Sequence, residues 1–203
     1  MITLKKLKDL LTRLTERNME QVFADWEMLV GFQATAEDQK VHLADGPAEV
    51  CEALQVPHLV VETLIQGQGE CNGPIFFAFP TPLVVEVIAD LTMIPEGAKE
   101  AKAQGKLGDD DLEAFREMAN LLCGSSNQVF EKLQRNVRIS QGVEHLKVWS
   151  NESNTNTLST CLPEERLSYV TMRVESGGKE FPMLEVIPFR VALGLAKQFY
   201  GAG

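Results

Sequence analysis

Glu117 and Asn120 are the two residues of this chain whose types and spacing could do chemistry together. Three positions apart on a helix, their side chains are neighbours on one face. A carboxylate and a carboxamide side by side present an anionic acceptor and an amide donor and acceptor to an approaching surface. A solvated helix face carries the same spacing, because Glu-x-x-Asn is short enough to arise by chance. Gly124 follows one turn after Asn120, removing a side chain where another surface could approach closely. Asn and Gly each cost roughly 0.5–1 kcal/mol in mid-helix relative to Ala. Their clustering on one face therefore favours a functional role.

A long helix from residue 109 to about Gln134 must hold these groups. Asp109, Asp110 and Asp111 suit its start, where the macrodipole is positive. At about 100° per residue, Leu112, Phe115, Met118, Ala119, Leu122, Val129, Phe130 and Leu133 fall on one apolar arc. Glu113, Glu117, Asn120, Gly124, Asn127 and Glu131 fall opposite. Glu113, Gly124 and Asn127 extend the face as candidate partner contacts. Ser125 and Ser126 have no His–Asp arrangement to activate them and read as small residues that let the helix pack closely. Cys123 sits at the border of the apolar arc.

The rest of the chain alternates helix and strand. Leu4, Leu7, Leu11 and Leu14, then Val22, Phe23, Trp26, Leu29 and Val30, predict a helix over 3–31, with Asn18 as a candidate break. Strands are expected at 40–44, 57–66 and 75–79, with a turn built on Gly67, Gly69, Asn72 and Gly73. Pro80 or Pro82 opens a helix through Leu91. Residues 95–108 read as a polar linker with at most a frayed turn. One or two strands are expected within 137–149, a polar loop at 151–157, strands at 167–174 and 181–187 around Ser176-Gly177-Gly178, and a last helix after Pro188. Trp26 and Trp149 are expected in the core, and His42, His58 and His145 in structural roles.

Two halves share this order. Gln21-Val22-Phe23 matches Gln128-Val129-Phe130 at an offset of 107 (128 minus 21), and Pro80 matches Pro188 at 108 (188 minus 80). A near-constant offset is stronger than the short matches themselves. The expected architecture is an α/β (α+β) domain of two repeats, about 1–94 and 109–203, with long helices on a shared sheet.

Composition narrows the function. A net charge of −10 over 203 residues repels nucleic acid and anionic membranes. The apolar stretch 73–94 is interrupted by Pro74, Pro80, Pro82, Glu86 and Asp90, so no membrane span is expected. Cys51, Cys71, Cys123 and Cys161 form no C-x-x-C pair and no zinc-ligand spacing. Buried thiols in a reducing, cytoplasmic compartment are the expectation, and a homodimer is compatible with the sequence.

The run Glu117-Met118-Ala119-Asn120-Leu121-Leu122-Cys123-Gly124-Ser125 resembles the helix motif of the CheC, CheX and FliY phosphatases of bacterial chemotaxis. That family also has pseudo-symmetric halves, so the resemblance extends over most of the chain. It implies hydrolysis of the aspartyl phosphate on a CheY-like response regulator. Asn120 would orient the attacking water and Glu117 would contact a lysine of the regulator. Magnesium would belong to the regulator's site, leaving this chain with no cofactor of its own. Three features depart from the pattern. Glu113 stands where the family has Asp or Ser. Val143 lies near the place of an expected proline. In the first half the positions matching Glu117 and Asn120 are Leu10 and Arg13, or Asp9 and Thr12, so that half is expected to be inactive. The flagellar-switch relatives carry a further C-terminal domain, for which no sequence is expected after the last helix. A non-catalytic adaptor or flagellar-switch-like binder of the same fold is the alternative. An unrelated dimerising α/β domain would instead bury Glu117 and Asn120.

Overall fold

Among the described residues, seven strands form one sheet in which every pairing is antiparallel. The computed structural model describes residues 2–104, 107–133, 135–140, 145–150 and 157–201. Val143 and loop residues 151–156 lie outside them.

The first half runs α1 (Leu4–Val30), β1 (Thr35–Ala44), α2 (Pro47–Glu52), β2 (His58–Gln66), β3 (Asn72–Pro80) and α3 (Thr81–Ile88). After α4 (Glu96–Gln104), the second half repeats that order, with β4 and β5 in the place of β1. It comprises α5 (Asp109–Lys132), β4 (Arg138–Ser140), β5 (Lys147–Trp149), α6 (Thr157–Cys161), β6 (Leu167–Ser176), β7 (Lys179–Pro188) and α7 (Phe189–Tyr200).

The halves exchange their outer strands. The sheet order is β1-β6-β7-β3-β2-β4, with β5 also on β2. Thus β1 of the first half closes the hairpin of the second, and β4 and β5 close the hairpin of the first. At the centre β3 meets β7 with Phe76 opposite Val186, Phe77 opposite Glu185 and Ala78 opposite Leu184. These pairings obey a two-fold axis through the Phe77–Glu185 pair. Each hairpin is latched alike: Thr81 N–H donates to the Pro57 carbonyl at 2.8 Å, and Phe189 N–H donates to the Arg166 carbonyl at 2.9 Å.

Alternation along the strands divides the core into two layers. Ile75, Phe77 and Phe79 face α1, α3, α5 and α7, whereas Phe76 and Ala78 face α2 and α6. The central strands are buried on both faces, which is why 75–79 reads as an unbroken apolar run.

Three expectations change. Helix α1 runs unbroken through Asn18, which is buried. Its leucines hold the turn against the core, and tertiary packing outweighs the weak propensity of one Asn. Residues 96–104, expected within a linker, form α4, which docks on α3 through Lys99 Nζ–Glu86 Oε2 at 3.1 Å. Leu29, expected on the apolar face, is 61 % exposed. Trp26 is fully buried, while Trp149 is half-buried and donates its Nε1–H to Glu62 at 2.7 Å. No helix among the described residues is long and apolar enough to cross a membrane.

Candidate functional site

The site is built on α5, and α5 is held at several points. At its start Asp111 is buried; its carboxylate accepts from Gly108 N–H at 2.8 Å and pairs with Lys102 of α4 at 2.8 Å. A carboxylate here satisfies an orphan N–H and faces the positive end of the dipole. Along its length α5 runs antiparallel to α1. Trp26 Nε1–H donates to the Met118 carbonyl at 3.2 Å, Ser125 Oγ–H donates to Asp25 Oδ2 at 2.6 Å, and Lys132 donates to Gln21 at 2.8 Å. Ser125 is therefore a cross-helix tie, not merely a small residue.

Below the motif the aromatic core is close-packed. Phe115 meets Phe79 edge-on with centroids 5.3 Å apart, and Trp26 lies 6.0 Å from Phe79. Such pairs add about 0.5–1.5 kcal/mol beyond burial and fix ring orientation. The motif thus sits on an element with little freedom to shift, as a positioning site requires.

Glu113, Glu117 and Asn120 are exposed, Gly124 is half-buried, and Phe115, Met118, Ala119 and Leu122 beneath them are buried. Among the described residues Glu117 and Asn120 have no hydrogen-bond or ion-pair partner, so both heads are free to meet another molecule. Exposure removes the reading in which they would be buried. Asn127 differs. Its Nδ2 donates to the Ile139 carbonyl at 2.9 Å, and its Oδ1 accepts from Ile139 N–H at 2.6 Å. Both ends of the amide are committed to β4, so this side chain pins the strand onto α5.

Met28 and Leu29 were not foreseen as part of this region. They stand one turn beyond or less from Trp26, at the end of α1 that runs beside Met118, and are 81 % and 61 % exposed. The regular apolar spacing hid them, because a periodic leucine looks the same in sequence whether or not a neighbour covers it.

The other reactive side chains are muted. Burial raises the Cys123 thiol, and burial pushes Cys71 up to about 11. His58 is buried between Val56 and Leu158: Nδ1–H donates to the Val56 carbonyl at 2.7 Å, and Nε2 accepts from Leu158 N–H at 3.3 Å. That arrangement fixes a neutral tautomer, and burial lowers the pKa accordingly. His42 stacks on Tyr169 at 4.9 Å. Among the described residues no group of three or more His, Cys, Asp and Glu could hold a metal ion.

A shared sheet with exchanged edge strands, long helices on one face and short ones on the other is the CheC-like fold. Three solved structures have it in particular. FliY of Thermotoga maritima is 22 % identical, with a TM-score of 0.76 over 98 % of each chain. FliM in a FliM–SpeE complex from H. pylori is 9 % identical, with a TM-score of 0.69 over 100 % of each chain. CheX from Desulfovibrio desulfuricans is 12 % identical, with a TM-score of 0.53 over 85 % of this chain and 97 % of its own. No protein-family model and no curated protein matches the sequence.

Proposed function

We propose that this chain is a phosphatase for the aspartyl phosphate of a CheY-like response regulator. The observation that carries the reading is the pair Glu117 and Asn120, exposed one turn apart on a braced helix and free of internal partners. Glu117 docks a cationic side chain of the regulator. Asn120 enters beside the phosphoryl group and holds a water in line with the bond to be broken. The water oxygen bonds to phosphorus as the P–O bond to the aspartate breaks, giving inorganic phosphate and a free carboxylate, with the water's proton passing to solvent or phosphate. The magnesium that screens the charge belongs to the regulator, so this chain supplies only position. Glu113 and Gly124 border the docking face. Asn127 contributes indirectly by bracing α5 on β4.

The likeness to FliM favours a second reading, a non-catalytic flagellar-switch-like binder. Decay of labelled regulator phosphate separates the two. Under the first, the chain accelerates decay, Asn120→Ala reduces the acceleration by about 10²-fold with binding retained, and Glu117→Ala weakens both. Binding that depends on phosphorylation, with no acceleration by the unaltered chain, would select the second.

A further inference from the structure

On the other side of the two-fold axis, the position of the motif is occupied by a cationic groove. At the offset of 107, Glu117 and Asn120 map to Leu10 and Arg13. Leu10, Leu14 and Leu133 form an apolar floor, and Phe199 and Tyr200 of α7 form one wall, enclosing about 250 Å³. Arg13, Arg17 and Arg135 stand around it. In a chain of net charge −10, three guanidiniums about one small hollow are a local reversal of sign.

Their partners set them apart from Arg166 and Arg173. Arg173 pairs with Glu37 and Glu180, and Arg166 pairs with Asp45. Around the groove, Arg13 donates to the Asp9 carbonyl at 3.1 Å and to Tyr200 Oη at 2.9 Å. Arg135 donates to the Phe199 carbonyl at 3.1 Å and lies 5.2 Å from that ring's centroid. Arg17 is exposed and bonds to no described residue. Among the described residues, none of the three is neutralised by a carboxylate. The contacts of Arg13 and Arg135 hold those two guanidiniums at the rim while leaving their charge available.

We propose that this groove docks an acidic peptide segment of a partner protein, with an apolar side chain seated on Leu10, Leu14 and Leu133 and carboxylates meeting Arg13, Arg17 and Arg135. An apolar floor supplies affinity, and guanidinium forks select carboxylates by geometry as well as charge. The proposal is independent of the phosphatase reading, because the groove lies on α1, α7 and the C-terminal end of α5 and shares no residue with the face of Glu117.

Selection from a displayed library of random short peptides tests it, using the full chain as bait. The expected pool is enriched in Asp and Glu flanking an apolar residue. The enriched peptides then bind the chain in solution, and affinity falls by about tenfold or more on Arg17→Glu. It also falls as salt rises, because exposed charges are screened within about 10 Å at 0.1 M. Arg17→Ala, which adds no repulsion, falls less, and Glu52→Lys on α2, across the sheet, leaves affinity unchanged. A pool without acidic enrichment overturns the proposal. So do identical pools for the unaltered and Arg17→Glu chains. A dimer dissociated by Arg17→Glu also overturns it, since a second copy would then be the occupant. Matching circular dichroism and melting of the variants keep a folding defect from passing as lost binding.

Discussion

Glu185 should make the protein less stable as pH rises through neutrality. Its side chain is buried on the central strand β7 and lines a small internal cavity. Thr15 of α1 donates its hydroxyl to Glu185 Oε2, and the side-chain amide oxygen Oδ1 of Asn18, buried in the same cavity, has no partner among the described residues. Apart from these, the lining is apolar, from Ile65, Ile75, Phe130, Ile139 and Leu195. None of the described residues that line the cavity is a cation. Burial therefore pushes the Glu185 carboxyl from its ordinary 4.5 up to about 7, against a smaller opposing effect of Thr15. The folded state holds this proton more tightly than the unfolded chain. Its contribution to stability is complete below about 4.5 and is lost as pH rises through about 7. The interval corresponds to about 3 kcal/mol, of which about 2.5 kcal/mol separates pH 5 from pH 8. Glu185→Gln keeps the shape, retains a hydrogen-bond donor and removes the titration. Urea unfolding at about pH 5 and about pH 8 should therefore show the stability gap between the two chains changing by about 2.5 kcal/mol, or about 1 M in midpoint for a slope near 2 kcal/mol per M. His58, whose burial lowers its pKa, is common to both chains, so its direct contribution cancels. Midpoints that track in parallel across this range would refute the assignment of a buried neutral Glu185.

Three other perturbations follow from particular contacts. Asn127→Leu removes both bonds to the Ile139 backbone and should cost about 2–4 kcal/mol in denaturant unfolding, with faster exchange of the Ile139 amide. Unchanged exchange would mean that β4 is held by other contacts. Gly194→Ala places a Cβ 2.5 Å from Cys71 N and 2.6 Å from the Glu70 carbonyl carbon. Backbone atoms cannot yield as a side chain can, so a loss of about 1–3 kcal/mol is expected in thermal or urea unfolding, and a neutral variant would place α7 farther from the 70–71 turn. Burial pushes the Cys161 thiol up to about 12, so at pH 8 its thiolate fraction is about one in 10⁴ and alkylation should be far slower than for a free thiol. Cys161 is half-buried, and its labelling at a free-thiol rate would contradict the raised pKa.

The elements legible in the sequence were those whose signal is local. The arc from Phe115 to Phe130 specified α5, and the unbroken run 75–79 specified a strand buried on both faces. Helices α2 and α6 escaped notice because six and five residues are too few for a helical period to show. Helix α4 escaped because it buries no residue and is held largely by ionic contact, so the polarity of 96–104 looked like a linker. At the site, the face carrying Glu113, Glu117 and Asn120 followed from spacing alone. The commitment of Asn127 did not, because its partner Ile139 belongs to an element that meets α5 only through the tertiary fold. The cationic groove was hidden for the same reason: Arg13 and Arg135 lie on separate segments, and the Phe199 wall on a third.

The two-fold axis explains where the halves resemble each other and where they differ. A residue on the axis faces its own counterpart, and the central pair is Phe77 against Glu185. Two phenylalanines would crowd that point and two glutamates would bury like charges, whereas one of each leaves a single polar group for Thr15 of α1 to satisfy. Away from the axis, each hairpin must accept the other half's edge strand, so strand positions and the latches at Thr81 and Phe189 stay alike. The outward helix faces carry no such mutual constraint. One presents Glu117 and Asn120, and the equivalent face presents Leu10 and Arg13, with Arg135 and Phe199 beside it where the offsets of 107 and 108 place Met28 and Leu91 in the other half. A duplicated core with exchanged strands is thus a scaffold whose interior resists divergence and whose two exposed faces can be specialised separately, one by an acidic and amide pair beside apolar residues and the other by arginines around an apolar floor.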